Sequence, residues 1–256
     1  SSNLGAPTTA ANGTIDLGSG TTTGTLVYTG SGETTDRVVN LAGTTGGGVI
    51  DQSGTGLLKF TSALTATGAG SKSLTLQGAT AGAGEFAGAI VDNSGANLTS
   101  LVKAGSGAWT LSGANTYTGG TTINAGTLGV TGGSALADTG TVTLANTAGA
   151  KLEVTDNETI GALTGGGATG GEVALASTKT LTVGSGSFAG VISGAGALTK
   201  NTTGTLTLSG ANTYSGKTSI QNGTLSVSSL NSVTGGTANS NLGAPTTAAN
   251  GTIDLG

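Results

Sequence analysis

The densest group of side chains able to do chemistry in this 256-residue chain is Glu153, Asp156 and Glu158, in the order Glu-Val-Thr-Asp-Asn-Glu. Three carboxylates and the Asn157 amide are the oxygen donors that Ca2+ recruits, a hard cation that takes about six to eight of them. The glycine-aspartate nonapeptide of calcium-binding β-rolls is missing, however, and Glu153 lies on an alternating segment that turns its side chain toward water. The expectation is a chain without cofactors, with Glu153, Asp156 and Glu158 the one place where calcium fits the residue types.

Asp36, Arg37 and Asp51 are the other candidates. Carboxylates gathered round an arginine suit cleavage of acidic polysaccharides, provided that adjacent turns of chain align them. The plainer reading places Asp36 and Arg37 at a solvated strand start. His is absent, which removes the commonest general base, and Cys is absent, which removes disulfides, zinc-thiolate sites and cysteine nucleophiles. Glycine runs are frequent, yet none leads into the Lys-Ser or Lys-Thr of a phosphate-binding loop. No enzyme is expected, and a polysaccharide-cleaving activity is the lesser alternative.

Two recurring trios complete the inventory: Asn115, Tyr117 and Gly119, and Asn212, Tyr214 and Gly216. A tyrosine ring is a flat platform for sugars. Structurally, the same pattern reads as an asparagine that closes a turn and a tyrosine that covers the neighbouring turn of chain. The second reading is preferred, so no catalytic, cofactor or metal site is assigned and the six residues are taken as structural motif positions. Trp109 is matched by Leu206 in the sister segment, so that position requires an apolar residue and no more.

The elements that carry these residues are short and alternating. Thr25–Tyr28, Leu74–Leu76, Thr141–Leu144, Lys151–Val154, Thr180–Val183, Thr205–Leu208 and Thr224–Val227 all have the period of two that marks strands. Clusters such as Thr44–Gly48, Gly165–Gly171 and Asn222–Gly223 supply turns, and no stretch has helical periodicity. Aromatic residues make up 3% of the chain and Met is absent, too few large side chains for an interlocking globular core. Thin stacked layers of Leu, Val and Ile suit this inventory, so the fold class is all-β, an elongated parallel β-solenoid of about ten to twelve coils. With 8% charged residues, a net charge of −4, a single Arg and seven Lys, no basic stripe for nucleic acid is available. No apolar run approaches the ~20 residues that span a bilayer, so this segment is not expected to contact a membrane.

Repetition organises the whole. Ser2–Gly18 reads SNLGAPTTAANGTIDLG, and Ser240–Gly256 reads the same without a substitution, at an offset of 240 − 2 = 238. Residues 1–256 are therefore read as one solenoid segment of a tandem array with a 238-residue period. Inside the period, residues 101–128 align with 198–225 (198 − 101 = 97), and Phe86–Ile90 with Phe188–Ile192 (188 − 86 = 102). The pattern L-x-K-x-G-x-G-x-x-x-L-S-G-x-N-T-Y-x-G-x-T-x-I-x-x-G-x-L resembles the passenger-associated transport repeat of bacterial autotransporter passengers and related large surface proteins. The second unit departs from it at Asn201–Gly204, where Thr202 replaces the first glycine, and at Lys217, which replaces the second glycine of a Gly-Gly pair. The resemblance implies a right-handed parallel β-helix displayed outside a Gram-negative-type cell.

The resulting expectation is a structural segment of a long extracellular β-helical stalk or fibre, which presents an adhesin or builds a surface or biofilm layer. Its partners would be neighbouring copies of the same repeat stacked end to end, with lateral packing between fibres. The alternative is an adhesin repeat that itself binds glycans or neighbouring fibres in many weak copies.

Overall fold

The computed structural model describes residues 4–231, 233 and 240–256. Every pairing between its strands is parallel, and successive strands of one sheet come from successive turns of the chain. This is a β-solenoid, elongated along the direction in which its turns stack. One face carries Gly24–Tyr28, Gly48–Gln52, Lys72–Gly78, Thr99–Lys103, Thr121–Ile123 and Thr141–Leu144 in that order. A second carries Glu33–Thr35, Leu57–Phe60, Ala83–Phe86, Ala108–Leu111, Thr127–Val130, Lys151–Val154, Glu172–Leu175 and Val191–Gly194. A third begins with Ile15–Leu17, Val39–Leu41 and Thr65–Ala66. Higher up, Glu158–Gly165 and Thr180–Phe188 run across a corner and merge the third face with the first.

Alternation within each strand decides what each ladder contains. Inward residues stack as Leu26, Ile50, Leu76, Lys103, Ile123 and Leu144 on the first face. On the second they stack as Leu58, Gly84, Trp109, Leu128, Leu152, Val173 and Ile192. Phe60 and Phe86 lie over one another with ring centroids 5.7 Å apart and planes 20° from parallel. Thr122, Thr143 and Thr164 form an outward ladder in which the last two hydroxyls are 2.8 Å apart. Like residues over like let one small apolar layer seal the next, so burial is continuous without large side chains.

Trp109 is the exception in size, and it is accommodated by a glycine beneath it. A Cβ added to Gly84 would overlap the indole. The indole N–H donates to the Gln77 carbonyl at 2.8 Å, which satisfies its one polar atom inside the core.

The solenoid makes about nine turns, fewer than the ten to twelve expected. The cause is the length of chain spent at corners. Early turns are long, with Leu26 against Ile50 (50 − 26 = 24) and Leu74 against Leu101 (101 − 74 = 27). Later ones tighten, with Val142 against Leu163 (163 − 142 = 21), and the last, from Thr218 to Ile253, takes 253 − 218 = 35 residues. Two single-turn helices, Ala10–Gly13 and Ala248–Gly251, break the all-β rule. Each starts where a threonine hydroxyl, Thr9 or Thr247, accepts from a backbone N–H three residues on, at Asn12 or Asn250.

Candidate functional site

The two asparagines of the recurring trios connect three layers of chain. The Asn115 side-chain oxygen accepts from the Ile90 N–H of the turn below at 2.7 Å, and its amide donates to the Ala135 carbonyl of the turn above at 2.6 Å. Asn212 does the same, with the Ile192 N–H at 2.7 Å and the Asn241 carbonyl at 2.6 Å. Both are buried. A corner of the coil cannot complete its ladder through backbone alone, and this side-chain amide supplies one acceptor and one donor where they are missing.

Tyr117 and Tyr214 point inward. Each is almost fully enclosed, with its hydroxyl 2.6 Å from that of Thr121 or Thr218 four residues later. Burial raises both phenols above their ordinary pKa, Tyr214 to about 12. Neither ring offers a face to a sugar. Gly119 and Gly216 follow at close approaches to the turn beneath, where a Cβ would collide with the Thr99 carbonyl and with that of Gly196.

Sequence reasoning missed the lysines. Lys103 occupies an inward position of the first ladder, between Leu76 and Ile123, and Lys200 one on the continuation of the third face, between Val183 and Ile220; both are fully buried, and among the described residues neither ammonium has an ion pair. Lys103 Nζ donates to the carbonyls of Ala104, Gly105 and Ala125 at 2.6, 2.9 and 3.1 Å, the last on the next turn. Lys200 reaches the carbonyls of Thr202 and Asn222. The signal was available, since Leu-x-Lys recurs at 101–103 and 198–200 with the charge in an apolar phase.

Burial pulls the Lys103 pKa down from 10.5 to about 8. Below pH 8 both folded and unfolded chains hold this proton; between pH 8 and 10.5 only the unfolded chain does, so stability rises with pH across that window. Lys103→Met is expected to flatten this part of the stability profile, measured as the denaturant midpoint from about pH 7 to 10.5. A variant with the wild-type slope would show that Lys103 titrates normally in the fold.

The three acidic candidates do not converge. Glu158 is buried and accepts from the Ala135 N–H at 3.0 Å, with its pKa raised by desolvation. Asp156 pairs with Lys179 at 2.8 Å, which lowers its pKa, and Glu153 stands near Lys151 at 3.7 Å. Among the described residues no three acidic side chains are grouped to share a metal ion. Nor do Asp36, Arg37 and Asp51 assemble. The Asp51 carboxylate accepts from Gln77 and Ser53 on the first face. The Arg37 guanidinium donates to the carbonyls of Leu4, Gly5 and Gly13 at 3.1, 3.0 and 3.3 Å, tying down the preceding chain where a solvated position was expected. No described helix is long and apolar enough to cross a membrane.

Residues 101–130 and 198–227 match the family described as the passenger-associated transport repeat. Over 204 residues the chain is 39% identical to the adhesin BmaC autotransporter of Brucella suis biovar 1 (strain 1330). That alignment takes in 77% of this chain and 5% of the relative, so the chain spans about a twentieth of that protein's length. No solved structure matches it. The asparagine bridges and caged lysines described above lie within these two matched segments, and the chain is a β-solenoid that contains two passenger-associated transport repeats and is similar, over three quarters of its length, to part of an autotransporter adhesin.

Proposed function

We propose that this segment is a length of an extracellular stalk on a bacterial surface, which extends an adhesive region away from the cell and itself catalyses nothing. The observation that supports this most is where the apolar surface lies. Of the large hydrophobic side chains exposed among the described residues, Leu4 and Val27 lie in the first turns and Leu230, Ile253 and Leu255 in the last, with Leu57 the remaining one. Between the ends the core is sealed, so the molecule invites contact along its axis more than across it. An open groove of about 820 Å3 at the first turns, lined by Leu4, Ile15, Leu26, Tyr28 and Phe60 among others, exposes the lower side of the first core layer.

At ~4.8 Å per turn, nine turns advance about 43 Å, so a tandem array gains length in steps of roughly that size. Deleting one period from the native array is expected to shorten the projecting fibre in electron micrographs by about 40–50 Å, a figure of nine to ten layer spacings. A fibre of unchanged length removes the stalk reading. A second reading, direct adhesion by the repeat, draws on the adhesin named among its relatives. Reproducible binding of the purified chain on a glycan array would favour it; silence favours the stalk.

A further inference from the structure

The repeated seventeen residues sit in two different surroundings, and the two sets of partners do not overlap. In the second occurrence every partner precedes the segment. The Asn212 N–H donates to the Ser240 carbonyl at 2.9 Å and its side-chain amide to the Asn241 carbonyl at 2.6 Å. Asn241 in turn donates to the Gly210 carbonyl at 2.9 Å, and the Ala244 N–H to the Tyr214 carbonyl at 2.8 Å. Ile253 then pairs with Thr218, and Lys217 Nζ lies 2.8 Å from the Asp254 carboxylate.

In the first occurrence the strand partners follow. Ile15 pairs with Val39 and Leu17 with Leu41, and Asn40 donates to the Asp16 carboxylate at 2.7 Å. Asp16 and Asp254 are the same residue of the period (254 − 16 = 238). One copy therefore uses the strand edge and carboxylate side that the other leaves open. Both occurrences carry the same threonine-capped helical turn, so the local backbone is the same.

We infer that the surface which this segment completes fits a second copy of this chain, and that successive periods join in phase and without a hinge. In the joint the aspartate binds Lys217 of the period beneath and Asn40 of the period above. This rests on the tandem-stalk reading and specifies its geometry. The device already exists within one period. After the first repeat unit, the Asn115 N–H donates to the Ser134 carbonyl at 2.9 Å and its amide to Ala135, so Ser134-Ala-Leu136 receives that unit as Ser240-Asn-Leu242 receives the second. The departure at Lys217 gains a purpose here. Where the first unit has Gly120, the second has a cation facing the incoming aspartate.

The joint has a definite register. The outward ladder of the first face begins Thr25, Val49 and ends Thr207, Ser226, so Ser226 of one period lies beneath Thr25 of the next. The test extends the full chain past Gly256 with its own residues 19–256. It carries Ser226→Cys in the first period and Thr25→Cys in the second, in a protein with no other cysteine. Adjacent parallel strands fall within the ~4.4–6.8 Å Cα separation that a disulfide spans. Near-complete intramolecular crosslinking is expected, with little when the second cysteine replaces Tyr28, about 10 Å further along its strand. Crosslinks only between molecules, equal crosslinking at both positions, or none overturn the inference.

A second measurement uses the chain as it stands. Asn212→Ala is expected to speed amide hydrogen exchange over Leu242–Asp254 at least tenfold while leaving residues 101–130 unchanged, and unaltered exchange there also overturns the joint. Both readouts use purified protein. A failed joint with a fibre that still shortens on period deletion refutes the phasing alone; an intact joint with no fibre on the cell refutes the stalk alone.

Discussion

Asn115→Asp is expected to destabilise the solenoid by about 3–5 kcal/mol at pH 7, the range for a buried charge left without a partner. The substitution keeps the acceptor for the Ile90 N–H but replaces the donor with an anionic oxygen at 2.6 Å from the Ala135 carbonyl. Burial and that contact both disfavour the carboxylate, so its pKa in the fold lies above its unfolded value of about 3.9. Between the two values the folded chain holds the extra proton, so stability falls as pH rises through the window and recovers on acidification. Protonated, the side chain donates to Ala135 again. Denaturant midpoints at about pH 4 and pH 7 check this: the deficit against wild type shrinks at the lower pH. Asn115→Ala, which strands one donor and one acceptor, is expected to cost about 2–4 kcal/mol without that pH dependence. An Asn115→Asp deficit of the same size at both pH values would mean that the amide does not bridge the turns.

The second large effect centres on Trp109. Truncation to alanine removes a fully enclosed indole and the donor to Gln77, with an expected loss of about 3–5 kcal/mol. Its packing against Gly84 makes a sharper test. Gly84→Ala drives a methyl group into the ring, so it is destabilising by about 1–3 kcal/mol in the wild type and nearly neutral beside Trp109→Leu. The coupling between the two substitutions, read from a double-mutant cycle, is expected to exceed about 1 kcal/mol. The second repeat unit shows the relaxed arrangement, with Leu206 over Gly186.

Strand positions were legible because Thr-Leu-Thr-Leu segments state their own period. Thr141–Leu144, Lys151–Val154, Thr205–Leu208 and Thr224–Val227 stand at the bounds read from sequence. The number of turns was less legible. It depends on how much chain each corner consumes, and nothing local announces that Thr218 waits 35 residues for its partner while Leu198 finds Thr218 after 20 (218 − 198 = 20). The caged lysines were hidden for a related reason. A charge at an inward position reads as an interruption of the apolar phase until three carbonyls of two adjacent turns are seen to enclose it. Arg37 was misread likewise, because its partners are carbonyls of Leu4, Gly5 and Gly13, which sequence spacing does not bring near. Asn115 and Tyr117 could be singled out by recurrence, but which turns they join could not.

The strands run across the long axis and stack parallel along it. X-ray diffraction from an aligned specimen of the protein measures this directly. A reflection near ~4.8 Å is expected along the long axis, the inter-strand spacing repeated through the stack. The same spacing found perpendicular to the long axis, as for strands that run lengthwise in a sandwich, would contradict it.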